Sequence, residues 1–217
     1  MRESLRLTLD VAPAKLPVTL NEAKAQLRLE DDQSADDAVV MADVRAATEA
    51  CETFTGRALI TQTWTLFRDD WPKAADGDSY WEGWRQGAET TPISPRRALE
   101  LPKPPLQSVV HVKTYDDSNV ATIYAATNYF VDAASEPGRI VLRKSAAAPI
   151  PTRSANGVEV QFKAGYGDTY ADVPEPLRQG LLRLVAYLHE NRGDCTDQAL
   201  AEAGAGQLWQ RYRVPRL

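Results

Sequence analysis

The feature that most limits how this chain can fold is a change of hydrophobic period at Gly56. Ahead of it, Val40, Val44, Ala47, Cys51 and Phe54 recur at spacings of four, three, four and three, which lays one apolar stripe along a helix of about five turns. Ser34 stands where an N-cap is needed, Asp36 and Asp37 meet the positive end of the helix dipole, and Gly56 supplies the left-handed residue that stops the helix. Directly afterwards, residues 58–68 (ALITQTWTLFR) are β-branched and aromatic with partial alternation, the pattern of a strand. A chain that is helical up to one glycine and extended beyond it must mix the two structures. The apolar stripe must also find its partner elsewhere in the sequence.

That partner lies near the far end. Pro174 and Pro176 open a second long helix, and Leu177, Leu181, Leu184, Val185 and Leu188 form its stripe before Arg192-Gly193 closes it. A shorter helix precedes both, because Thr19 with Glu22 forms a capping box ahead of Leu20, Ala23 and Leu27. The acidic loop Glu30-Asp31-Asp32 follows it. Between the long helices the signals are short and extended. Residues 99–101 stop at Pro102-Lys103-Pro104-Pro105, residues 109–115 turn through Asp116-Asp117-Ser118-Asn119 into 120–124, and 129–131, 139–142 and 158–162 complete the set.

The expected fold is therefore α+β, a helical bundle built from the N-terminal and C-terminal segments with a small antiparallel β domain inserted. Its expected parts are an extended N-terminal segment (1–18), a helical part (19–57) and a β-rich domain (58–172). The β-rich domain carries a long loop at 71–97 with Trp71, Trp81 and Trp84. A helix at 173–193 completes the bundle, and 194–217 is a linker and tail.

Composition narrows function more than fold. At 217 residues the chain can bury a core without staples, and two cysteines, Cys51 and Cys195, make no disulfide framework. Lys and Arg number 25 against 30 Asp and Glu, a net charge of −5, so gripping nucleic-acid phosphates is not its main business. The N-terminus has no apolar h-region of a signal peptide, and no stretch approaches the ~20 apolar residues of a membrane helix. The expectation is a protein made in the cytoplasm without a membrane association.

Catalytic and metal-binding patterns do not assemble. Gly165-Tyr166-Gly167 follows a strand but continues into neither a dinucleotide nor a phosphate-loop pattern, so it reads as a tight turn. His189-Glu190 lacks a second histidine one turn on, and His111 stands alone. Cys51 sits on the apolar stripe, where a thiol packs rather than reacts. Asp69-Asp70 and Asp116-Asp117 are neighbours that would face opposite ways on a strand. No catalytic residue, cofactor or metal ligand is expected, and the rival from another class is a hydrolase or nucleic-acid-processing enzyme with an unrecognised site.

Charge is distributed unevenly. Residues 19–55 hold nine acidic side chains against three basic ones, a balance of −6. The last eleven residues reverse this: Arg211, Arg213 and Arg216 interleave with Leu208, Trp209, Tyr212, Val214 and Leu217.

In this order the residues resemble the head–tail connector (adaptor) proteins of long-tailed bacteriophages and gene-transfer-agent particles. The likeness lies in Leu16-Pro17-Val18-Thr19-Leu20-Asn21-Glu22-Ala23-Lys24 with Leu27-Arg28, and in residues 46–52 running into Thr55-Gly56-Arg57-Ala58-Leu59-Ile60-Thr61-Gln62-Thr63-Trp64. It continues in Leu101-Pro102, Pro105-Leu106-Gln107-Ser108-Val109, Pro137-Gly138-Arg139-Ile140, Ala164-Gly165-Tyr166-Gly167 and Val173-Pro174 with Leu177-Arg178. The resemblance implies a virion protein without cofactor or catalysis. Such a protein forms a ring, usually of twelve copies, under the portal, extends the DNA channel and gives the stopper and tail their platform. A stopper or tail-completion protein of the same particle is the alternative within that class. DNA would pass without sequence-specific binding, and on this reading Asp36, Asp37, Asp43 and Glu49 are candidates for a channel wall that repels it. The bulky C-terminal segment becomes the candidate portal-docking element, with Leu208, Trp209, Arg211, Tyr212, Arg213 and Arg216 as its contacts, because Trp, Tyr and Arg dominate binding hot spots.

Overall fold

A computed structural model describes residues 6–30, 32, 34–72, 98–192 and 196–214. The expected loop at 71–97 falls outside the described residues beyond Pro72.

Three helices form where the stripes require them. Helix α1 spans Leu20–Leu27 and begins with the expected capping box: the Thr19 N–H donates to the Glu22 carboxylate at 2.9 Å, and the Glu22 N–H donates to the Thr19 hydroxyl at 3.3 Å. Helix α2 spans Asp37–Thr55 and ends on Gly56 at φ 75°, where its N–H returns to the Glu52 carbonyl. Its start differs from expectation, because Asp36 and not Ser34 occupies the N-cap. Residues 34–36 turn so that Ser34 offers its carbonyl, which accepts the Asp37 N–H at 3.3 Å. Helix α3 spans Glu175–Glu190 with Pro174 at its cap. Val40, Val44, Ala47 and Cys51 of α2 and Leu177, Leu181, Leu184 and Val185 of α3 are buried in one cluster, so the two stripes share a core.

The strands make two sheets. Strands β1 (Arg6–Val11), β2 (Gln62–Arg68), β4 (Leu106–Tyr115), β5 (Ala121–Ile123) and β8 (Val158–Ala164) form the larger, in the order β1-β2-β8-β4-β5. Strands β3 (Ala98–Glu100), β6 (Tyr129–Asp132) and β7 (Arg139–Leu142) form the smaller, in the order β3-β7-β6. Strand β8 alternates as a half-buried strand should: Val158, Val160, Phe162 and Ala164 are buried, while Glu159, Gln161 and Lys163 face away. Part of the extended N-terminal segment is itself a strand. A lone strand leaves its backbone groups unpaired, and β1 pairs antiparallel with β2 from Arg6 opposite Phe67 to Val11 opposite Thr63.

The chain divides into two compact units. A β-rich unit comprises Met1–Val11, Thr63–Leu101 and Leu106–Lys163, and a helical unit comprises Ala12–Gln62, Pro102–Pro105 and Ala164–Leu217. The β-rich unit thus takes a strand from before the first helix, and the proline-rich turn at 102–105 belongs with the helices. Gly165 shows why that part of the helical unit is tight: it has φ 135°, and a Cβ there would come within 2.6 Å of the Ile60 and Thr61 backbone.

The expected linker and tail are folded. Residues 196–202 and 205–209 form helices α4 (Thr196–Glu202) and α5 (Ala205–Trp209), and Gln210–Tyr212 adds a 3₁₀ turn. Ala199, Ala205 and Trp209 enter the helical core with no exposed surface. The aromatic bulk needs a surface to bury against, and for Trp209 the chain's own helices provide it.

Candidate functional site

The acidic face and the C-terminal clasp both belong to the helical unit. Of the four acidic candidates, Asp36 and Glu49 are exposed. Asp37 is not an unpaired carboxylate: its Oδ1 lies 2.6 Å from Nζ of Lys24, an ammonium that is itself 3% exposed. Burying that ammonium without a counter-charge would be costly, so Asp37 serves α1 as much as it charges the surface. Asp43 is half-buried and meets Nδ1 of His189 at 3.2 Å, a contact from α2 to the last turn of α3. Of the four candidates, Asp36 and Glu49 are thus the ones whose carboxylates stand open to solvent, and Asp32 is exposed as well.

Glu52, one of the nine acidic side chains of residues 19–55, turns its carboxylate inward. It accepts the Leu59 N–H at 2.9 Å and Nε2 of Gln62 at 2.5 Å. Burial pushes its carboxyl above the usual range, against the opposing pull of those bonds and of Lys103. Glu52 pins the turn after α2 to the helix. Glu22 is the opposite case. Partial burial raises its pKa, but bonds from Thr19 and the Arg178 guanidinium outweigh that and hold it below the ordinary value. Arg178, 9% exposed, joins Glu22, Glu175 and the Pro17 carbonyl and lies over the Tyr170 ring.

The clasp closes on α2 and α3. The Trp209 indole N–H donates to the Leu177 carbonyl at 3.1 Å, and its ring meets Phe54 at 6.1 Å between centroids. Gly180 leaves the gap the indole fills, since a Cβ at 180 would stand 2.1 Å from Nε1. Further along, Arg57 donates to the Tyr212 carbonyl at 2.5 Å, Val214 donates to the Thr55 carbonyl at 2.9 Å, and the Arg213 guanidinium lies over Phe54. Among the docking candidates, Trp209 is buried, Leu208 and Tyr212 are half-buried, Arg211 and Arg213 are exposed, and Arg216 lies outside the described residues. The outward face of this segment is cationic and its aromatic weight is internal. The signal for that was present in Gly180, a glycine mid-helix, but only contact with Trp209 gives it meaning.

Two further groups of titratable side chains among the described residues pack or pair within the chain. Cys51 is buried, and burial pushes its thiol far up. His111, Lys113 and Tyr115 of β4 converge on Glu159 of β8 at 2.8, 3.2 and 2.5 Å, and partial burial there is outweighed by their bonds, which lower its pKa. Among the described residues no three His, Cys, Asp or Glu side chains come together as a metal site, and no helix is long and apolar enough to cross a membrane.

No protein-family model matches this chain, and no curated protein does. Solved structures do. A chain in the neck of an empty GTA particle, computed with C6 symmetry, superposes at a TM-score of 0.74 with 26% identity, covering 98% of this chain and 97% of that chain. A chain in the virion of a native gene transfer agent (GTA) particle gives 0.71 with 25% identity, over 97% and 96%. A chain in the neck of a native GTA particle, computed with C12 symmetry, gives 0.62 with 26% identity, over 97% of both.

Proposed function

We propose that this chain is a structural, non-enzymatic neck protein of a gene-transfer-agent-like or phage-like virion, and within the neck the adaptor subunit between portal and tail. The observation that carries the reading is the end-to-end likeness to neck chains, over 97% or more of this chain, in particles treated with both C6 and C12 symmetry. A ring of twelve obeys both symmetries, whereas a ring of six obeys only the first, which favours twelve copies and the adaptor over a stopper. In this role the chain is made in the host cytoplasm and joins a filled head. It extends the DNA channel below the portal and offers its lower face to stopper and tail proteins.

The exposed carboxylates Asp36 and Glu49 suit a wall past which DNA slides without sequence-specific contact. With Trp209 internal, docking on the portal falls to the outward cations Arg211 and Arg213, and to Arg216, meeting carboxylates there. The decisive experiment is particle production without this chain, read by electron microscopy. The adaptor reading expects filled heads bearing a portal and no neck ring, with free tails. Particles that keep a twelve-fold ring and lack only the layer beneath it would assign the chain to the stopper instead. Normal particles would reject a neck role altogether.

A further inference from the structure

The five-stranded sheet has two rims, β1 on one side and β5 on the other. Both carry apolar side chains into solvent: Leu9 and Val11 are 45% and 59% exposed, Val120 and Ile123 58% and 69%. Outer strands are where proteins ordinarily place charge to discourage association, so apolar rims on both sides point to something that covers them.

The two rims match in order along the sheet. Arg6 begins β1 and reaches Asp69 at 3.3 Å and Asn156 at 2.5 Å. Next to Asn156, the Gly157 carbonyl accepts the Tyr115 N–H at 2.9 Å, and Tyr115 leads into the turn with Asp116 and Asp117. Arg6 and the exposed acidic turn therefore lie at the same end of the sheet, on opposite rims. From that end β1 runs out to Val11 and β5 to Ile123. They also share a face. Val11 stands opposite Thr63 and Ile123 opposite Lys113. Thr65, two residues on from Thr63, bonds Asp10, which accepts from Gln161, and Gln161 is two residues from the Glu159 that meets Lys113.

In a cyclic ring every subunit points the same way along the axis and presents two unlike patches, head to tail. We infer that the β1 rim of one subunit seats against the β5 rim of a second copy, setting Arg6 against Asp117 and Val11 against Ile123, as the lateral joint of the ring. This rests on the ring reading above. The register of β1 shifts between Leu9 and Val11, and β5 is three residues long, so side chains and not a long backbone ladder hold the joint. Such a joint is small, which fits a subunit that closes into a ring only on a template.

The test uses Val11→Cys with Ile123→Cys in a Cys195→Ser background, with the chain assembled in particles and exposed to a short bis-maleimide. Within one subunit the two positions are four strand spacings apart, about 19 Å, beyond bridging. The expected result is a ladder of covalent multimers. Each single variant, and Val11→Cys paired with Phe130→Cys on the smaller sheet, should stay monomeric in the gel. A ring visible in micrographs without the ladder overturns the joint and leaves the ring reading standing, while no ring from the unmodified chain overturns both. Should the double variant fail to enter particles, Arg6→Glu and Asp117→Arg decide: each alone should deplete the ring, and together they should restore it. Failure to restore overturns the joint.

Discussion

The helical and β-rich units treat their apolar surface differently. Of the large apolar side chains left exposed among the described residues, Leu9, Val11, Val110, Val120, Ile123, Phe130, Val131 and Ile150 are in the β-rich unit, and only Val39 and Tyr170 in the helical one. The helical unit also draws residues 205–214 onto its helices and places Trp209 in its core, while among the described residues both rims of the five-stranded sheet carry exposed apolar side chains. A unit that closes on itself sets its own stability. One that leaves apolar rims open has surface that contact with other chains would cover, as proposed above. Substitutions in the first should therefore be read by melting, and in the second by assembly.

The contrast is most easily broken at the helical core. Val44 is 1% exposed between Val40 and Ala47, so Val44→Asp would bury a carboxylate without a partner and should cost about 4–5 kcal/mol or abolish folding. An unchanged thermal midpoint would disprove the shared core of α2 and α3. Trp209→Ala should follow at about 3–5 kcal/mol, since it empties a large site and removes the bond from the indole to the Leu177 carbonyl. Gly180→Ala, pressing on the same indole, should cost about 1–3 kcal/mol by overpacking. If Trp209→Ala melted like the wild type and only lost binding to portal rings, the segment would be a docking arm and not a clasp.

Acid sharpens the picture within the helical unit. Glu22 has its folded pKa held below that of a free glutamate, so its contribution is present above the unfolded value and is lost as pH falls through the lowered folded value. Glu22→Gln preserves the capping box but removes the charge facing Arg178. We expect a loss of about 1 kcal/mol near neutrality and a flatter stability profile below pH 4.5, read by denaturant titration at several pH values. An unaltered acid limb would remove Glu22 from the account. The smallest effects belong to the surface. Ile123→Asp and Glu49→Gln should each leave the melting of the isolated chain within about 0.5 kcal/mol. They should differ in assembly, where Ile123→Asp depletes the ring and Glu49→Gln does not.

The sequence by itself determined what depends on neighbours in the chain. The α2 and α3 stripes, the Thr19–Glu22 box, the stop at Gly56 and most strands were legible because period and caps are local properties. The resemblance to neck proteins was legible too, carried by short motifs in order along nearly the whole chain. Other features depended on residues distant in sequence meeting in space. Lys24 beside Asp37 and His189 beside Asp43 gave two of the four acidic candidates partners within the chain. Glu52 was claimed by Leu59 and Gln62, and β1 found β2 some fifty residues on. Trp209 was the plainest case: its composition suggested a hot spot for a partner, and Gly180 made room for it at home. Whether an aromatic or a carboxylate faces outward is decided by which surface covers it at the lowest desolvation cost, and that surface exists only once the helices have packed.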